Sequence, residues 1–66
     1  MNKIREYRKR HGLSQAEVAR RLGIDRSSVA KWESGCNTPN LNHLLELAKI
    51  FRCSVDELVN VKNNRF

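Results

Sequence analysis

Two cysteines, one proline and three glycines in 66 residues leave this chain little material for crosslinks or flexible connections. Cys36 follows Gly35 and Cys53 lies in an apolar stretch far along the chain, so no disulfide framework of the secreted kind can be read from them. Reduced thiols and a cytoplasmic location are expected. Proline and glycine are too scattered to form a linker, no segment repeats, and no run is of low complexity, which points to a single domain with a small core. No stretch approaches the roughly 20 apolar residues a membrane span needs. The charged segment after Met1-Asn2-Lys3 lacks the apolar region of a signal peptide. No membrane partner and no small-molecule substrate are expected.

Metal and nucleophilic chemistry also lack their usual spacing. Zinc ligands come in close pairs such as C-x2-C, and His11, Cys36, His43 and Cys53 form none. Neither histidine has a serine or carboxylate at a plausible triad spacing. The reading is a non-enzyme without cofactor or metal, in which His11 is a helix-end cation and His43 a surface residue of a first helical turn.

Acid is scarce too. Seven Asp and Glu stand against thirteen Lys and Arg, a formal net charge of +6. Residues 1–33 carry nine of the basic residues and four of the acids, so the positive field belongs to the N-terminal half. A polyanion is the natural partner of such a field, although a basic solubilising surface would look the same on charge alone.

What the sequence has in abundance is helix punctuation. Ser14-Gln15-Ala16-Glu17 is a capping box, so a helix starts at Gln15 and runs to about Leu22, where Gly23 suits the left-handed residue that ends a helix. Asp25 offers the next N-cap and opens a helix to about Ser34, closed by Gly35. Upstream, Asn2 to His11 is helical in composition and Gly12 ends it. Downstream, Pro39 and Asn40 precede Leu41, Leu44, Leu45, Ala48 and Phe51, an apolar stripe at helical spacing. Ser54-Val55-Asp56-Glu57 is a second capping box and predicts a last short helix around Leu58. Nothing alternates like a strand. A compact five-helix, all-α domain is expected, with its core over about residues 4–58 and a tail over 59–66.

Function is legible between Gln15 and Ser34. Two short helices flank a tight turn, and a small Ala19 with Gly23 four residues on suits a close helix-turn-helix corner. At 100° per residue, Val29 and Trp32 of the second helix must face inward. Its opposite stripe is then Ser27, Ala30, Lys31 and Ser34, with Arg26 and Ser27 on the first exposed turn. Small residues let a helix sink into the DNA major groove, where Arg and Lys donate to guanine and Ser can donate or accept. A merely solvated face would be expected to carry acids as well, and the single acid on this helix, Glu33, lies near its inner edge. On the first helix Ile4, Tyr7, Arg8 and His11 share a face, so Arg8 should be partly buried and in need of an acid, for which Glu33 is best placed.

The run Leu13-Ser14-Gln15-Ala16-Glu17-Val18-Ala19 through Trp32-Glu33-Ser34-Gly35, followed by Pro39 and Leu44-Leu45, resembles the Cro/C1 repressor family, the XRE-type helix-turn-helix regulators. The likeness covers about residues 4–58. It implies the five-helix repressor domain, binding to double-stranded operator DNA, and the Arg8–Glu33 pair. It further implies that Arg26, Ser27 and Lys31 read bases, that Gln15 touches phosphate and braces them, and that Ser34, Asn37, Thr38 and Asn40 hold the DNA backbone. Cys36 departs from the family, standing where a basic residue is frequent, and Trp32 stands where an aliphatic or smaller aromatic is usual.

A homodimer on an inverted-repeat operator is the expected working form. Val59, Val61 and Phe66 are apolar yet follow the last capped helix, and one recognition helix contacts too few base pairs for useful selectivity. The resemblance implies an interface of Phe51, Arg52, Leu58 and Val59, with Val61 beside them. An antitoxin or protein-interaction module of the same fold is the alternative; a pure adaptor would have no need of Arg26 and Lys31.

Overall fold

The structure, a computed structural model, describes residues 3–59. Five helices and no strand occur among them: α1 Ile4–Arg10, α2 Gln15–Leu22, α3 Arg26–Ser34, α4 Leu41–Phe51 and α5 Val55–Val59.

The caps explain the boundaries. Ser14 Oγ accepts from the Glu17 amide at 3.0 Å while Glu17 Oε1 accepts from the Ser14 amide at 2.8 Å, closing the predicted box at the start of α2. Gly23 ends α2 at φ 74° and Gly35 ends α3 at φ 88°, both left-handed positions where a side chain would be strained. Asn40 caps α4 through Oδ1, which accepts from the His43 amide at 2.8 Å. Asp25 has the extended backbone of an N-cap, but its side chain makes no capping bond. The Ser54 and Glu57 box is formed as well, and because Ser54 is the cap, α5 begins at Val55, three residues before the expected position.

Ile4, Val18, Ala19, Val29, Trp32, Leu47, Phe51 and Leu58 form one buried cluster to which all five helices contribute. Its edge is closed by Tyr7, Leu13, Leu22 and Ile24. Around Phe51 the packing is aromatic: Tyr7 stacks at 6.2 Å and His11 at 5.7 Å between ring centroids. His11 Nε2 lies 3.0 Å from the Phe51 carbonyl oxygen. The nitrogen facing that acceptor must carry the proton, so the residue at the end of α1 also ties down the end of α4.

Two expectations for the C-terminal half are corrected. The α4 stripe is not one buried face: Leu41 is 65% exposed and Leu45 46%, whereas Leu47, outside the stripe, is fully buried. Ala48 and Phe51 turn with Leu47 toward the core, Leu44 is half-buried, and Leu41 and Leu45 fall on the edge beyond the core's reach. Phe51 and Leu58, expected at a dimer interface, are spent in the core of the single chain. A 66-residue domain needs its large apolar side chains at home. Val61 and the rest of 60–66 lie outside the described residues.

Candidate nucleic-acid interface

Helix α3 stands with its back in the core and its front in solvent. Val29, Trp32 and Glu33 are buried, while Arg26, Ser27, Lys31 and Ser34 are exposed and Ala30 is half-buried. The exposed stripe therefore combines two cations with small polar or methyl side chains and no acid. Such a surface offers hydrogen-bond donors without bulk, which is what entry into a major groove demands.

The start of this helix is held by a relay that begins in the core. Glu33 has a fully buried side chain, and Arg8, only 12% exposed, meets it with two bonds: Nε donates to Oε2 at 2.7 Å and Nη2 to Oε1 at 3.1 Å. The remaining arm, Nη1, donates to the Leu13 carbonyl at 2.9 Å, so one guanidinium joins α1, the α1–α2 turn and α3. Gln15 Nε2 donates to Glu33 Oε1 at 3.0 Å, and Arg26 Nη1 donates to Gln15 Oε1 at 3.1 Å. A carboxylate can only accept, so Glu33 fixes which way the Gln15 amide points and leaves its oxygen for Arg26. The resemblance implies that Gln15 braces base-reading residues; what the structure shows is its hydrogen bond to Arg26.

Burial alone would raise the Glu33 carboxyl, but hydrogen bonds from Arg8 and Gln15, the charge of Arg8 and a bond from Arg5 outweigh it and hold the group below the usual carboxylate range. The Arg8 guanidinium is pushed up, chiefly by its bonds to Glu33. Both shifts favour the ionised form of the pair.

The loop between α3 and α4 presents Asn37, Thr38 and Asn40 to solvent beside Ser34, with Pro39 buried beneath. Its polar groups are partly engaged at home. Ser34 Oγ donates to the Lys31 carbonyl at 3.1 Å and accepts from the Cys36 amide at 3.4 Å, and Asn40 Oδ1 is the α4 cap. Asn40 is thus a structural cap first, and its amide NH2 has no hydrogen-bond partner among the described residues.

Three features escaped the sequence. His43 is no free surface residue: it is half-buried, with its ring 5.2 Å from that of Trp32, and so steadies the back of α3. His11 reaches across to α4. Arg5 Nε donates to Glu33 Oε1 at 3.3 Å, making a second cation on that carboxylate. The spacing of Arg5 and Arg8, three residues apart on one helix, was the available signal for this last contact. Among the described residues no group of three His, Cys, Asp or Glu side chains is arranged to hold a metal, and no helix is long and apolar enough to cross a membrane.

A helix-turn-helix family model matches residues 4–58, which is nearly every described position. The chain belongs to the helix-turn-helix family. Among relatives of this family member is the HTH-type transcriptional activator BcrR of Enterococcus faecalis, 34% identical over 58 residues, a match covering 88% of this chain and 28% of that protein. Another is the cryptic phage CTXphi transcriptional repressor RstR of Vibrio cholerae, 34% identical over 59 residues, covering 89% of this chain and 53% of the repressor. A crystal structure of a transcriptional regulator from Listeria innocua superposes with a TM-score of 0.82 at 30% identity, covering all of this chain and 65% of the regulator. This helix-turn-helix chain therefore spans between about a quarter and two thirds of the length of these three proteins.

Proposed function

We propose that this chain is a sequence-specific, duplex-DNA-binding transcriptional regulator that acts as a repressor, inserting α3 into the major groove. The observation that carries this reading is the front of α3: Arg26, Ser27, Lys31 and Ser34 are exposed in a stripe free of acid, while its back is locked by Val29, Trp32 and the Glu33 relay. Arg26, Ser27 and Lys31 read base edges, and Gln15 and the loop residues Ser34, Asn37, Thr38 and Asn40 meet the backbone. The relatives include a named repressor and a named activator. Repression asks least of a DNA-binding domain, since occupying an operator is enough.

The chain acts as a homodimer on an inverted repeat, because one α3 spans too few base pairs for selectivity and two related by a two-fold axis read half-sites about 34 Å apart. With Phe51 and Leu58 withdrawn into the core, the surface left for this contact among the described residues is Arg52, the half-buried Val59 and the exposed Leu45, beside an open groove of about 850 Å³ between α4 and α5.

The test is selection of bound sequences from a random duplex pool, followed by titration of variants on the selected site. Arg26→Ala and Lys31→Ala should each cost about 1 to 3 kcal/mol on the selected site and relax discrimination at particular base pairs, while Gln15→Ala weakens all sequences. No retardation of any duplex at low salt would overturn the reading, and equal losses on selected and scrambled DNA would reduce Arg26 and Lys31 to phosphate contacts.

A further inference from the structure

Arg5 holds an unusual position in the Glu33 cluster. Oxygen Oε1 of Glu33 accepts three donors: Gln15 Nε2 at 3.0 Å, Arg8 Nη2 at 3.1 Å and Arg5 Nε at 3.3 Å. A carboxylate oxygen has two lone-pair directions, so one of the three is surplus, and the longest bond is that of Arg5. The charge count agrees. Arg8 meets both oxygens of Glu33 and compensates it, so the charge of Arg5 is left over, and Arg26 is bonded only to the neutral amide of Gln15.

Arg5 is also the open member of the cluster. Its side chain is 60% exposed, against 12% for Arg8 and 0% for Glu33. Its Nε and Gln15 Nε2 sit on the same oxygen and so lie within about 6 Å of each other, which puts its guanidinium beside the first residue of α2 and one side chain away from Arg26. Glu33 takes only the Nε proton, and both Nη groups, four of the five donors of the fork, have no partner among the described residues.

We infer that Arg5 is a DNA-backbone contact, its two Nη groups gripping the phosphate that lies against the start of α2. The assignment rests on the DNA-binding reading above and adds α1 to the interface that α2, α3 and the loop after α3 supply. Glu33 orients the guanidinium through Nε without neutralising it, and if the grip pulls Nε away from Oε1, Glu33 still keeps Arg8 and Gln15. Arg5 therefore contributes affinity without base discrimination, in contrast to Arg26 on the other side of Gln15.

The experiment compares the wild type, Arg5→Gln and Arg5→Lys on two duplexes, the site recovered by selection and a scrambled duplex of equal length, across a series of salt concentrations. Each released counterion contributes about 0.9 to the slope of log K against log salt. Arg5→Gln should lower the magnitude of the slope by about that amount, weaken both duplexes by the same factor, and melt close to the wild type, while Arg5→Lys keeps the slope. An unchanged slope in Arg5→Gln, with the wild type binding steeply, would overturn the Arg5 assignment and leave the DNA-binding reading intact. A loss confined to the selected site, or a fall in melting temperature as large as that of Arg8→Ala, would make Arg5 a prop for Glu33 instead. A wild type that binds neither duplex at low salt would remove both readings.

Discussion

Cutting the Arg8–Glu33 pair is the most direct test of how this domain holds α3. In Arg8→Ala the fully buried Glu33 carboxylate loses both bonds from Arg8, and the Leu13 carbonyl loses its donor. Removing one partner of a buried pair costs about 3 to 5 kcal/mol. Glu33 would still have Gln15 at 3.0 Å and Arg5 at 3.3 Å, but Arg5 is largely in water and screened, so a loss of about 3 kcal/mol, the low end, is expected. A domain of this length has a total stability of about 3 to 10 kcal/mol. At about 4 to 8 °C per kcal/mol, the melting temperature should fall by roughly 10 to 25 °C. Glu33→Ala should fall comparably, because it strands a guanidinium that is 12% exposed. The double variant should be more stable than the sum of the two losses by about 2 kcal/mol, since neither charge is then left unpaired. Thermal melts followed by circular dichroism and by the single Trp32, the buried neighbour of Glu33 in α3, give both numbers. Single variants that melt within about 2 °C of the wild type, or losses that simply add, would refute the reasoning.

The depressed Glu33 carboxyl makes stability depend on acid. The contribution is present above the unfolded-state pKa of about 4.3 and is lost as pH falls through the lower folded-state value, so the wild type should lose melting temperature below about pH 5 more steeply than Glu33→Gln, and parallel curves would exclude the linkage. Phe51→Ala should cost about 3 to 5 kcal/mol whether or not the chain dimerises, because the ring is buried within one chain; a variant that dissociates but melts normally would show it to be an interface residue after all. Val59→Asp should lower affinity and cooperativity on an inverted repeat while leaving the monomer folded, as judged by analytical ultracentrifugation and gel retardation together. Ser14→Ala should lower stability by about 1 kcal/mol through the cap of α2, measured by urea denaturation at neutral pH.

Local chemistry determined much of this protein before any tertiary contact was known. The capping boxes at Ser14 and Ser54 and the glycines at positions 23 and 35 mark helix ends through interactions spanning three or four residues, and the inward turn of Val29 and Trp32 follows from helical periodicity. The exposed stripe of Arg26, Ser27 and Lys31 is the same periodicity read from the other side. What the tertiary structure decided depends on residues brought together across the chain. Leu41 and Leu45 lie on the same amphipathic pattern as Ala48, yet they are exposed because, among the described residues, no other helix covers that edge of α4. Phe51 and Leu58, which the resemblance implies at a dimer interface, are covered within the chain by α1, with Ile4 beside them in the core and the Lys3 amide bonded to the Leu58 carbonyl at 2.6 Å. The roles of His11, His43 and Arg5 were hidden for the same reason: the partners that define them, Phe51, Trp32 and Glu33, are 40, 11 and 28 residues away, and only packing sets those distances.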